Sequence, residues 1–193
     1  GLVLDKQMHL TPVWGIGSVG RGDFRTFIAD RLALDPGSIA SFDLSFYDLT
    51  PAAVIGVDGS MIASGRLDNQ VSCWAAINAL TATQPARATA VVALFDHEEV
   101  GSESTHGASG PRLEWLLAAL DGRSDAEFRS ALASSMCVSA DNAHAVHPNY
   151  PERHEPEHRP MANQGPVLKQ NANQRYATSP ESCLLYTSDA ADD

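Results

Sequence analysis

Apolar residues change rhythm along this 193-residue chain. Over residues 22–34, Phe24, Phe27 and Ile28 recur at helical spacing and Pro36-Gly37 closes the segment, which predicts a helix. Phe42, Leu44 and Phe46 then alternate with Asp43, Ser45 and Tyr47, the pattern of a half-buried strand. Residues 53–63 read as a hairpin turning on Asp58-Gly59, and Asp68 stands where it would cap a helix over residues 69–80. From residue 88 a nearly continuous apolar run, rich in Ala and Val, extends to residue 95. Such a run fits a strand covered on both faces, as in a parallel sheet. Pro111 opens a helix with Leu113, Leu116, Leu117 and Leu120 on one face, ended by Gly122. A shorter helix is predicted over residues 125–134 with Phe128 and Leu132 inward, and a second buried strand over residues 136–140 ends on Asp141. Residues 167–169 read as a last short strand.

This order, antiparallel hairpins first and strand–helix–strand units after, divides the chain into a β-rich module over residues 1–62 and part of an α/β sandwich over residues 63–182. The end, CLLYTSDAADD over residues 183–193, breaks in composition and resembles the translated read-through of a common sequencing adapter. It is set aside as a non-native tail. With no Met at the start as well, the sequence reads as an internal piece of a longer protein.

Charge narrows the partners. The formal net charge is −11, and −8 without the three Asp residues of the tail. An acidic chain does not suit nucleic acid, which asks for a basic face. No run of 18 apolar residues predicts a membrane span, and the start has no secretory signal pattern. Cys73, Cys137 and Cys183 are scattered, with no CxxC pair, which suits a reducing cytoplasm and gives no zinc-thiolate signal.

Two short motifs invite over-reading. Gly15-Ile16-Gly17-Ser18-Val19-Gly20 fits GxGxxG, the mark of an NAD(P)-dependent oxidoreductase, but such a loop needs a strand immediately before it and Pro12 disfavours one. His154-Glu155-Pro156-Glu157-His158 fits HExxH, yet Pro156 blocks the helix that would place both histidines on one face.

Three carboxylate positions carry more. Asp68, the Glu98-Glu99 pair and Asp141 lie apart in sequence, and two of the three sit at the ends of predicted buried strands, where open α/β sheets bind ligands. Divalent cations take oxygen and imidazole donors from separate elements. Adjacent glutamates at a strand end point differently, so one can bind metal while its neighbour accepts a proton from water. Solvated loops remain the plain alternative for each motif taken alone.

The segments ASGRLDNQ (63–70), LFDHEEVGSESTHGA (94–108), SADNAHAVHPNYPERHEPEHRP (139–160) and GPVLKQNANQRYAT (165–178) together resemble, in order, the signature blocks of the aspartyl aminopeptidase family of metallopeptidases. The resemblance implies a partial three-layer α/β/α zinc-peptidase-like catalytic domain over residues 63–182, joined to the remainder of a β-rich oligomerisation domain over residues 1–62. It implies two divalent metal ions, zinc foremost, with manganese or cobalt as alternatives. By position, Asp68 matches the carboxylate bridging both metals, Glu99 and Asp141 a ligand of each, and Glu98 the general base. His147, Lys169 and Tyr176 match residues lining the substrate pocket.

The same resemblance implies hydrolysis of the first peptide bond of peptides with a free N-terminus, often Asp or Glu, in a cytoplasmic homo-oligomer, commonly a dodecamer. It also implies one histidine ligand from an upstream HxD segment and one from near the C-terminus, neither within these residues, so the piece alone is expected to be inactive. A non-catalytic assembly protein derived from the family is the remaining alternative. Asp96, His97, His144, His154 and His158 receive no role from the sequence.

Overall fold

Where turn chemistry is local and strong, the predicted elements form. The computed structural model describes residues 1–17, 23–84, 87–173, 175–180 and 182; residues 18–20 of GIGSVG and the tail from residue 183 lie outside them. The chain divides into two compact units, Gly1–Leu49 and Thr50–Asp193.

The first unit holds α1 (Lys6–His9) and α2 (Asp23–Leu32), followed by a 3-10 turn at Pro36–Ser38. Asp5 caps α1, its side chain accepting from the backbone N–H groups of Gln7 and Met8. On α2, Ala29 is fully buried. Around the helix an aromatic cluster forms: Trp14 meets Phe24 and Phe27 with ring centroids 5.5 Å apart, and Phe24 meets Phe42 edge-on at 5.9 Å. The Arg31 guanidinium lies over the Phe27 ring and that of Arg25 over Phe42. Residues 42–46, predicted as a strand, form no ladder, and Phe42 packs into this cluster.

In the second unit β1 (Ala53–Ile55) and β2 (Met61–Ala63) pair antiparallel, with Val54 opposite Ile62. Their turn closes through Gly59 N–H to the Gly56 carbonyl and Ser60 N–H to the Asp58 carboxylate, as the Asp58-Gly59 pair predicts. α3 (Leu67–Ala82) follows, then α4 (Arg112–Asp121) and α5 (Asp125–Ala133). Gly122 ends α4 at φ 65°, a left-handed position natural to glycine, and its N–H returns to the Ala118 carbonyl. Ser124 and Glu127 form a reciprocal capping box at the start of α5, whose Phe128 is buried.

Residues 88–95, 136–140 and 167–169, read as strands from their apolar runs, form no strand ladder here. Val91, Leu94, Met136 and Val138 remain about half exposed. A buried parallel strand is defined by neighbours along both edges, and among the described residues only the hairpin forms a ladder. None of the described helices is long and apolar enough to cross a membrane.

Candidate metal centre

α3 starts irregularly, and this sets the direction of its first carboxylate. Arg66 is left-handed (φ 62°), while Asp68 (φ −81°, ψ 112°) and Asn69 (φ −118°, ψ 39°) are not helical. The helix begins at Leu67 with Arg66 in the cap position, where the sequence suggested Asp68. The Asp68 carboxyl lies within electrostatic reach of Asp141 and Glu99. Neighbouring carboxylates disfavour each other's ionised form. Partial desolvation, then the hydrogen bond and charge of Asp141, and the charge of Glu99 push Asp68 up, with His144 opposing. Burial also pushes Asp141 up, but the Asn142 N–H, hydrogen bonding with Asp68 and the Lys169 ammonium outweigh it and hold Asp141 below its ordinary value.

Glu98 and Glu99 lie in a 3-10 turn, Glu98–Val100, bounded by His97 (φ 66°) and Gly101 (φ 103°). This turn is braced from behind by Ser104. The Ser104 hydroxyl is 2.6 Å from His97 Nδ1 and accepts from the Gly107 N–H at 3.1 Å. Ser102 N–H donates to the His97 carbonyl, and Ser109 N–H to the Ser102 carbonyl. Gly107 is buried in this loop, where a Cβ would fall on the Ser102 carbonyl oxygen. His97 is thus a brace for the glutamate turn.

Of the residues assigned to the substrate pocket, Lys169 stands beside Asp141 and Tyr176 stands beside Lys169. Lys169 Nζ lies 3.5 Å from Asp141 Oδ2, donates to the Asn142 carbonyl at 3.1 Å, and sits 5.7 Å from the Tyr176 ring centroid. His147 is exposed in the HPNY turn, its Nδ1 accepting from the Asn149 N–H and its ring meeting Tyr150 at 5.4 Å. His154 and His158 do not share a helix face. His154 Nε2 is 3.0 Å from the His144 carbonyl, and His158 Nδ1 pairs with Glu155 at 2.8 Å. Ahead of GIGSVG, the described residues hold the short helix α1 and no strand, so the setting a dinucleotide loop requires does not form.

Two contributors escaped the sequence reading. Asn142 bonds to the chain on either side of Asp68, donating to the Leu67 carbonyl and accepting from the Ser72 hydroxyl. His144 acts on Asp68 electrostatically. The only sequence signal for either was adjacency to Asp141.

The donor chemistry suits a divalent cation. Asp68 and Asp141 present hard oxygens to one neighbourhood, with Glu99 near enough to raise Asp68. Among the described residues no group of three His, Cys, Asp or Glu gathers where a metal ion could be held.

The profile of the aminopeptidase I zinc metalloprotease family (M18) matches residues 4–190. The chain belongs to this family. It is 48% identical over 191 residues to a probable M18 family aminopeptidase 2 of Stutzerimonas stutzeri (strain A1501), covering 96% of this chain and 44% of that protein. Among solved structures it resembles the cryo-EM structure of the Ape4 and Nbr1 complex, with a TM-score of 0.76 and 33% identity over 88% of this chain and 35% of that one. It also resembles the crystal structure of yeast aminopeptidase 1, with a TM-score of 0.74 and 26% identity over 88% of this chain and 41% of that one. The fold is accordingly peptidase-like α/β, and the chain spans less than half the length of these relatives.

Proposed function

We propose that these residues form the carboxylate part of a dinuclear zinc centre in an aminopeptidase that removes N-terminal residues, Asp or Glu foremost, from peptides. The Asp68–Asp141 contact, with Glu99 within electrostatic reach, is the observation that carries this reading. Asp68, Glu99 and Asp141 would hold the two ions; manganese or cobalt would fit the same oxygens. Bound zinc supplies a water of lowered pKa and an electrophile for the scissile carbonyl. Glu98 takes a proton from the attacking water and returns it to the leaving amine nitrogen. Lys169, with His147 and Tyr176, receives the substrate's first side chain, and the Lys169 ammonium favours an acidic one.

The catalytic part, residues 63–182, belongs in this reading to a three-layer α/β/α domain. Residues 1–62 belong to an oligomerisation domain of a cytoplasmic dodecamer, and residues 183–193 are non-native. The 193-residue piece alone is inactive in this reading, because its oxygens complete neither coordination sphere. Family membership supports the reaction class, and the acidic preference rests on Lys169.

The test is release of N-terminal Asp, Glu and Leu from matched peptides by the intact protein, with and without chelator. Chelator-sensitive release that favours Asp and Glu is expected. Equal release after exhaustive metal removal would overturn the metal reading, and a preference for Leu would overturn the substrate assignment.

A further inference from the structure

The two carboxylates approach each other from parts of the chain that share no helix or strand ladder, so something must hold them in register. One side chain bridges the two. Asn142 Nδ2 donates to the Leu67 carbonyl at 2.9 Å, across 75 residues of sequence, and its Oδ1 accepts from the Ser72 hydroxyl at 3.0 Å. These contacts fall on either side of Asp68, at the irregular start of α3. The backbone of Asn142 serves the other carboxylate: its N–H donates to Asp141 Oδ1 at 2.8 Å, and its carbonyl accepts from Lys169 Nζ at 3.1 Å. All three inter-segment bonds lie in partly buried surroundings.

We propose that Asn142 is a positioning residue for the metal centre, its amide locking the peptide that leads into Asp68 to the loop that carries Asp141. A side-chain amide donates to a carbonyl through its nitrogen and accepts from a hydroxyl through its oxygen at once. An aspartate would face the Leu67 carbonyl with a second acceptor and add charge beside Asp141. Groups that orient metal ligands without touching the metal typically command about 10–100-fold in affinity. Asn142 matters here because α3 is not helical at Asp68 and Asn69, so the helix ladder does not itself fix the carboxylate.

The role rests on Asp68 and Asp141 being ligands, and the experiment separates the two ideas. Zinc affinity is measured on the intact protein by competition with a chelating dye, together with the visible absorption spectrum of the cobalt-loaded form. Asn142→Ala is expected to weaken zinc binding about 10–100-fold and to shift the cobalt bands. Ser72→Ala, which removes one leg of the bridge, is expected to weaken it about fivefold, the worth of one net hydrogen bond. Should Asn142→Ala not fold, Ser72→Ala decides by the same two measurements. Zinc affinity and cobalt spectrum unchanged in a folded variant, whatever its melting temperature, overturn the positioning role. Unchanged affinity in both Asp68→Asn and Asp141→Asn overturns the site itself.

Discussion

The Lys169 ammonium stands 3.5 Å from Asp141 Oδ2, so a residue assigned to the substrate already neutralises a residue assigned to the metal. Both side chains are partly exposed, 30% and 40%, so solvent screens the pair and its contribution to folding is small. Its interest lies in position. Lys169 stands between Asp141 and the Tyr176 ring, where the proposed acidic substrate side chain would meet it.

Lys169→Met therefore separates two roles. If Lys169 binds the substrate's side chain, kcat/KM for an N-terminal Glu should fall about tenfold or more relative to N-terminal Leu, the worth of one charge-assisted hydrogen bond. A ratio left unchanged between the two peptides would leave Lys169 only as the counter-ion of Asp141.

Glu98 is expected to act on a proton and not on the metal. Glu98→Gln should lower kcat about 100- to 10,000-fold while zinc affinity stays within about twofold of the parent. Turnover that survives the substitution would remove Glu98 as the base; zinc lost with it would make Glu98 a ligand instead.

The loop behind the glutamates depends on one glycine. Because a Cβ at Gly107 would fall on the Ser102 carbonyl, Gly107→Ala should push the loop open at a cost of about 1–3 kcal/mol. Hydrogen exchange is the direct measure: the Ser102, Gly107 and Ser109 amides, all bonded inside the loop, should exchange faster. Unaltered exchange at these three would show that the loop tolerates the added carbon.

Acid should loosen α5. The Ser124 hydroxyl, and then its N–H, bond to the Glu127 carboxylate and hold it below its ordinary value of 4.5. A carboxylate with a lowered folded value stabilises the folded state above the unfolded value, and that support is lost as pH falls through the folded one. Titrating from pH 7 to below 4.5 should lower helical circular dichroism and melting temperature in the parent. Ser124→Ala should start about 0.5–2 kcal/mol less stable and lose less on acidification. An identical acid response in parent and variant would dissociate the capping box from the pH dependence.

Local chemistry was legible in the sequence because it acts within a few residues. The Asp58-Gly59 turn, the Gly122 stop of α4 and the helix over residues 125–134 each follow from groups no more than four positions apart. The start of α3 was not legible: Arg66 takes the cap position expected of Asp68, and the helix breaks at Asp68 and Asn69, which no periodicity announces. The runs 88–95 and 136–140 were legible as apolar, but pairing depends on distant neighbours.

By itself the sequence determined helices α2 to α5, the hairpin and, through its ordered signature segments, the family. It also marked which carboxylates to watch. Only the tertiary structure decided that Asp68 meets Asp141 and that Lys169 leans on the second of them. It alone placed Asn142 across the two segments. The reason is range: capping and turn energies are set by the adjacent backbone, whereas a bridging amide exists only once segments some 75 residues apart have been brought into contact.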